Sequence, residues 1–154
     1  RAPRQSRTGT QHNGMQEEMN SEILGLIPQR APIVMVDRFL GLEDGISTTC
    51  LEVRADNIFC NDGCLNECGI IEHIAQSAAA RVGHICRCEG REVPLGFIGA
   101  VNAFEASRLP RLGELITTKI EVLQQVFAVS LIRAESYVDG ELVAGCKMKI
   151  FLQE

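Results

Sequence analysis

Glu72 is the residue of this sequence whose type and setting most clearly suggest chemistry. It lies inside the apolar run CLNECGIIEHIAQSAAARVGHIC, residues 64–86, although glutamate is almost never fully buried unless it is paired. A carboxyl group on an apolar helix face is expected to have a raised pKa, which would suit a proton donor near neutral pH. Gln76 follows four residues later and shares the face of Glu72. A structural interpretation also stands, in which Gln76 or the backbone satisfies a buried Glu72.

Histidine and cysteine are the other residue types here that commonly carry chemistry. His12 belongs to the N-terminal segment, His73 would point about 100° away from Glu72 around a helix, and His84 would lie about 16 Å farther along that helix. We therefore interpret His73 and His84 as structural or surface residues. The seven cysteines contain no repeated Cys-x-x-Cys pair and no well-placed base, so we expect reduced thiols and neither a metal site nor a cysteine nucleophile.

A long central helix is predicted because apolar residues recur at helical spacing within residues 64–86. These residues are Ile70, Ile71, Ile74, Ala75, Ala78 and Val82. The alanines of the same run are small, so a sheet or a second helix can approach closely. We expect the helix to end within residues 83–90 and to be capped by Asn61, Asp62 or Asn66.

Most of the remaining chain predicts β-strands. A first strand starts at residue 33 and runs toward a turn at residues 43–45, and Asp139-Gly140 predicts a hairpin. The other predicted strands are residues 46–53, 94–104, 116–122, 126–137 and 142–152. One long helix wrapped by an antiparallel sheet is an α+β arrangement, the hotdog fold. Because such a sheet has open edges, we expect at least a dimer.

Length and composition limit the class of protein. The 154 residues predict a disordered tail at residues 1–20 and a single domain at residues 21–154. A net charge of −5 without clustered Lys and Arg argues against nucleic acid. No apolar run is long enough for a membrane span and no signal peptide is evident, so we expect a cytoplasmic protein.

Two motifs give the chain a family resemblance. The segment LIPQRAPIVMVDRFL resembles the opening motif Leu-Pro-His-Arg-x-Pro-x-x-x-x-Asp-Arg-Val of the FabZ-type 3-hydroxyacyl-acyl-carrier-protein dehydratases. The matching residues are Pro28, Arg30, Pro32, Asp37 and Arg38. The segment IIEHIAQSAAA resembles their helix motif and places Glu72 on the catalytic acid and Gln76 on the glutamine that follows it. Phe104 and the turn RLPRLGE resemble a later motif, so the resemblance spans about residues 23–152.

The loop before the helix departs from that family. The family carries its catalytic base in Gly-His-Phe-Pro-Gly-Asn-Pro, whereas this loop reads IFCNDGCLNECG, is shorter and has no histidine. The loop is similar to that of a divergent dehydratase branch of aryl-polyene pigment pathways, which runs Phe-Phe-x-Asp-Gly-x-Leu-Pro before the same glutamate. The matching residues are Phe59, Asp62, Gly63, Leu65 and Glu72, and Asn66 stands where that branch has proline.

The resemblance implies a dehydratase acting on 3-hydroxyacyl thioesters of acyl carrier protein or coenzyme A, as a homodimer or with a related dehydratase. Glu72 would be the general acid, and Asp62 is the one loop residue that could be a second acid or base, although a capping or turn role explains it equally well. The expected substrate-binding residues are Gln76, Phe59 and the backbone near Gly63, Cys68 and Gly69. No cofactor is implied, because the thioester itself acidifies the α-carbon.

Two alternatives remain on the same fold. One is thioester hydrolysis, in which a carboxylate activates water and no histidine is required. The other is a non-catalytic partner that has lost the base and pairs with an active dehydratase. Product analysis separates the first alternative from dehydration, and the second predicts no activity for the isolated chain.

Overall fold

One helix, α1 (Glu67–Cys88), lies against a six-stranded antiparallel sheet in the computed structural model, which describes residues 22–153. The predicted tail at residues 1–20 lies outside the described residues. The strands are β1 (Arg38–Glu43), β2 (Ile46–Glu52), β5 (Leu95–Ala106), β6 (Leu115–Val126), β7 (Val129–Val138) and β8 (Glu141–Gln153), in the sheet order β1-β2-β6-β7-β8-β5. Two short strands, β3 (Cys60–Asn61) and β4 (Cys64–Leu65), form a separate hairpin before α1. This arrangement confirms the α+β prediction.

One predicted boundary was wrong, and one of the predicted helix caps was confirmed. The first strand begins at Arg38 rather than at residue 33. The backbone of residues 33–35 instead forms hydrogen bonds with the Gln76 side chain. This side chain accepts a hydrogen bond from the Met35 N–H at 2.6 Å and donates one to the Ile33 carbonyl at 2.7 Å. The helix begins at Glu67, since Asn66 accepts the Gly69 N–H at 2.8 Å and is therefore the cap among the three candidates.

The face of α1 toward the sheet carries both apolar and polar residues. Ile70, Ile74 and Ala78 are buried in the main core. Beside them, Thr49, Thr118 and Ser136 lie opposite one another on β2, β6 and β7 and form a buried row of hydroxyl groups. Thr118 hydrogen-bonds to Ser136 and to His73 of the helix, and Thr49 donates to Ser77 of the helix. The other predicted core residues of the helix, Ile71, Ala75 and Val82, are only half-buried. They form a second apolar face of α1 that the sheet does not fully cover.

The second half of α1 packs against the start of the described chain. Ile23, Leu26 and Ile27 form a second buried cluster with Ala80 of the helix. Gly83 lies so close to this segment that a Cβ atom built there would be 2.2 Å from the Leu26 carbonyl oxygen. The N-terminal segment is thus seated on one side of the helix, next to the half-buried face of Ala75, Ala79 and Val82.

All seven cysteines are free, as predicted. Cys50, Cys86 and Cys146 are buried, and burial raises the pKa of the Cys146 thiol to about 11. Within residues 22–153, no helix has the length and apolar character needed to span a membrane.

Candidate active site

Glu72 is half-buried on α1 and is held by Gln76, one helical turn later. The Glu72 Oε1 atom accepts a hydrogen bond of 2.8 Å from Gln76 Nε2. Gln76 itself is fully buried, and both of its Nε2 hydrogens and its Oε1 atom are engaged by Glu72, Ile33 and Met35. Gln76 is therefore placed to orient Glu72, and its predicted role in substrate binding stays a prediction.

A cavity of about 240 Å³ opens beside Glu72, here called the proximal cavity. Glu72 is the one acidic side chain among its lining residues. The walls are formed by the half-buried face of α1, by the Pro28-Gln29 segment and by one end of the sheet; they include Ala75, Ala79, Val82, Gly96, Phe97 and Ile98. This setting places a carboxyl group at the side of a narrow, mostly apolar space.

A larger cavity of about 840 Å³, the distal cavity, adjoins the proximal one. It lies between the second half of α1 and the far ends of β6, β7 and β8. Both cavities share the lining residues Ala78, Val82, Val93, Pro94, Ile150 and Leu152. Together they form a space that runs along α1 away from Glu72 and that suits an extended apolar chain.

Asp62 and Gly63 form the tip of the β3–β4 hairpin. Both have positive φ, 52° and 78°, and both are exposed, as expected for an Asp-Gly hairpin turn. Asp44-Gly45 and the predicted turn Asp139-Gly140 adopt the same conformation elsewhere in the sheet. Asp62 therefore occupies a turn position, does not cap the helix, and does not line the proximal cavity of this protomer.

The other loop residues predicted for substrate binding are placed around the start of α1. The Gly69 N–H is used by the Asn66 cap, so it is not a free donor for a thioester carbonyl. A Cβ atom at Gly69 would lie 2.6 Å from the Phe59 Cβ, which shows that Phe59 packs on the helix start. Cys68 is exposed in the first turn. The structure does not bring Phe59, Cys68 or Gly69 to the cavity walls beside Glu72.

Neither histidine of residues 22–153 lines the proximal cavity. His73 is fully buried, with Nδ1 2.6 Å from the Met35 carbonyl and Nε2 2.8 Å from the Thr118 hydroxyl. Burial lowers the His73 pKa to about 4, although the Met35 carbonyl and the charge of Asp37 favour protonation. His84 stacks on Phe39 with ring centroids 4.7 Å apart. Both side chains have packing roles, as predicted.

Sequence reasoning missed several residues at the cavity. Pro28 and Gln29 line it, yet they were identified only as part of a family motif. Phe97 and Ile98 of β5 also line it, and the available signal was the apolar segment LGFIGAV next to glycines. Gly99 of the same strand leaves space for the Phe151 ring, because a Cβ atom there would lie 1.9 Å from it. Within residues 22–153, no group of three or more His, Cys, Asp or Glu side chains is arranged to hold a metal ion.

Comparison with protein families and curated sequences places these residues in context. A family model described as ApeP-like, ApeP dehydratase, matches residues 21–154. The 3-hydroxyacyl-[acyl-carrier-protein] dehydratase FabZ of Ruminiclostridium cellulolyticum is 26% identical over 136 residues, which cover 84% of this chain and 94% of that protein. FabZ of Levilactobacillus brevis is 28% identical over 130 residues, covering 80% and 85%.

Solved structures confirm the hotdog fold. The dehydratase heterocomplex ApeI:P from Xenorhabdus doucetiae has a chain that matches with a TM-score of 0.80 and 18% identity over 86% of this chain and 91% of that chain. A hypothetical thioesterase with coenzyme A from Streptococcus pneumoniae TIGR4 matches with a TM-score of 0.61 and 14% identity, covering 75% and 87%. At these identities the structural matches establish the fold alone.

Proposed function

Because the chain belongs to the ApeP-like dehydratase family, we propose that it acts in the removal of water from 3-hydroxyacyl chains held as thioesters on acyl carrier protein, with Glu72 as the proton donor. The observation that carries this proposal is the position of Glu72. A single carboxyl group, oriented by a buried glutamine, faces a narrow apolar cavity. This cavity continues into a second, larger one. The FabZ relatives support the same reaction class.

The hydrogen bond from Gln76 assigns the two oxygens of Glu72 different tasks. Since Oε1 accepts the Gln76 N–H, the acidic proton belongs on Oε2. In the reaction the α-carbon loses a proton to a base, a double bond forms between the α- and β-carbons, and the β-hydroxyl leaves as water with the proton of Glu72. The apolar walls keep bulk water away from the acyl chain while this transfer occurs.

The reaction also needs a base that accepts the α-proton. Asp62 remains the candidate proposed from the loop motif, and it would have to reach the cavity of another protomer because it does not line its own. The two histidines of the described residues are both engaged in packing. This observation favours a second candidate function, a subunit that contributes Glu72 or the acyl cavity to an assembly in which a related dehydratase supplies the base.

The proposal extends to the partner and the pathway. The structural relative from Xenorhabdus doucetiae is a heterocomplex, which supports pairing with a related dehydratase as an alternative to a homodimer. The loop similarity supports a role in fatty-acid or polyene-type biosynthesis, and the proposed location is the cytoplasm. Acyl carrier protein is the proposed carrier, with coenzyme A as the alternative.

The test is an assay of the purified wild type and of Glu72→Gln on a 3-hydroxyacyl-carrier-protein thioester, following the enoyl product and released thiol separately. Glu67→Gln is the matched control, because Glu67 is exposed in the first turn of the same helix. We expect enoyl product with the wild type and the control, and a loss of about a hundredfold or more with Glu72→Gln, as is typical when a general acid is removed.

The other outcomes separate the remaining hypotheses. Thiol release that depends on Glu72 would identify a thioesterase. No product with the isolated chain, followed by Glu72-dependent enoyl formation after a related dehydratase is added, would identify the subunit function. Equal activity of the wild type and Glu72→Gln would refute the proposed role of Glu72.

A further inference from the structure

The distal cavity is lined by a half-buried cation, the side chain of Arg81. Arg81 follows Glu72 by nine residues on α1, a rise of about 14 Å along the helix axis. Its side chain reaches toward β6, where Nη1 donates to the Ile120 carbonyl at 3.2 Å. Burial lowers the Arg81 pKa, so the surroundings do not favour this charge.

No carboxylate of residues 22–153 lies within ion-pairing distance of Arg81. By contrast, Arg54 is paired with Asp37 and Arg108 with Glu114, at 3.2 and 2.8 Å. Arg81 lines the distal cavity, and a guanidinium with one carbonyl partner retains several other N–H donors. Because desolvating a charge without a partner is costly, a ligand that displaces water from the distal cavity would have to offer these donors an acceptor.

The rest of the cavity wall defines where that acceptor would lie. Apolar side chains of the sheet, Val122, Ile132 and Ile150, line the cavity together with the polar side chains of Gln125 and Ser130. Arg91 and Glu92 also line the cavity, but both are exposed, and Arg91 pairs with Glu89. The wall is therefore apolar near Glu72 and offers hydrogen-bond donors farther along α1.

We propose that Arg81 makes this protein selective for acyl chains that carry an oxygen acceptor at their far end. This inference rests on the proposed function, because it assumes that the reacting thioester lies at Glu72 and that the chain extends into the distal cavity. A carboxylate would be the strongest ligand, since guanidinium presents a planar pair of donors that matches it. A terminal hydroxyl group would bind more weakly, and a terminal methyl group would leave Arg81 without a partner.

The experiment compares 3-hydroxyacyl chains of matched length that end in a carboxylate, a hydroxyl or a methyl group. Affinities are measured by calorimetry with stable amide analogues of the thioesters, so that the result does not require turnover, and the thioesters themselves are used in the dehydration assay. The variants are Arg81→Leu and the charge-conserving Arg81→Lys. Arg133→Leu is the control, because Arg133 is an exposed arginine that lines neither cavity.

We expect the wild type and Arg133→Leu to prefer the carboxylate-terminated analogue over the methyl-terminated one by about ten- to a hundredfold, the range of a charged hydrogen bond. Arg81→Leu should abolish that preference and Arg81→Lys should retain part of it. Equal affinities of the wild type for the three analogues, or an unchanged preference in Arg81→Leu, would overturn the proposal.

Two further results distinguish this inference from the proposed function. A carboxylate preference in binding without any enoyl product would support the role of Arg81 while refuting the dehydratase function of the isolated chain. Coenzyme A without an acyl chain tests whether Arg81 instead binds a phosphate of the carrier. Binding of coenzyme A that is lost in Arg81→Leu would overturn the acyl-end assignment.

Discussion

At the scale of single residues, neighbouring positions of one helix have three different tasks. Glu72 faces the proximal cavity, His73 faces the sheet, and Gln76 holds the segment before β1. Successive helix residues are separated by about 100°, so one turn can serve a cavity, a core and a loop at once. The Met35 backbone joins these tasks, because its N–H binds Gln76 and its carbonyl binds His73.

The burial of His73 predicts a specific pH dependence of stability. Its pKa is about 4 in the folded protein and 6.5 is its ordinary value, so the unfolded chain takes up the proton first as the pH falls. The free energy of unfolding should therefore be largest above pH 6.5 and should decrease toward pH 4, by up to roughly 3 kcal/mol from this residue. Urea unfolding at a series of pH values measures it.

His73→Gln should show a smaller decrease over the same pH range, because it does not titrate. His84→Gln is the control, since His84 lies on the same helix but stacks on Phe39 outside this network. An identical pH dependence in the wild type and His73→Gln would contradict the assignment. The absolute stability of His73→Gln does not affect this comparison.

At the scale of elements, the position of α1 depends on a close contact with the N-terminal segment. Gly83 allows the backbone at Leu26 to lie directly on the helix, and the second core cluster extends this contact. The adjoining face of the helix lines the two cavities, and Pro28 and Gln29 of the same N-terminal segment complete the wall of the proximal one. The geometry of the site therefore depends on the packing of α1 against the N-terminal segment as well as on the residues that line the cavities.

Gly83→Ala tests this seating. Alanine favours a helix by about 1 kcal/mol over glycine, but its Cβ would lie 2.2 Å from the Leu26 carbonyl oxygen. We expect the clash to dominate and the free energy of unfolding to fall by about 1–3 kcal/mol, as in other overpacked sites. Chemical denaturation measures the change, with Cys88→Ala at the exposed end of α1 as the control. A stabilised Gly83→Ala protein would show that the contact is not maintained.

At the scale of the whole molecule, β5 is an edge strand with an apolar surface. It pairs with β8 on one side, and no other described strand pairs with its second side. Leu95, Phe97 and Ile98 on this strand and Phe151 on β8 are exposed. Open apolar edges favour pairing with another chain. Because Phe97 and Ile98 also line the proximal cavity, such pairing would cover the site next to Glu72.

Phe97→Glu tests whether β5 is the assembly surface. We expect the wild-type protein to self-associate as at least a dimer, and Phe97→Glu to be monomeric because a charge would have to be buried in the contact. Light scattering after size-exclusion chromatography gives the masses. Leu40→Glu is a matched control, since Leu40 is 48% exposed on the opposite edge strand, compared with 53% for Phe97. A monomeric wild type, or a Phe97→Glu dimer, would contradict pairing of two copies through β5.

The sequence by itself determined the features that depend on local pattern. Helical spacing predicted α1, alternation and Asp-Gly turns predicted the antiparallel strands, and the order of motifs predicted the family. The sequence also predicted that Glu72 and Gln76 lie side by side, because residues four apart share a helix face. Each of these features is decided by residues close together in the chain.

Only the tertiary structure decided which groups meet across long sequence separations. The pattern of residues 33–36 predicted a strand, but Gln76, 41 residues from Met35, bonds to the Met35 N–H and the Ile33 carbonyl, which are then not available to a neighbouring strand. The cavity likewise combines Gln29, Glu72 and Phe97 from three separate elements. All buried polar and apolar groups compete for partners. The local sequence pattern does not determine which distant groups pair with one another.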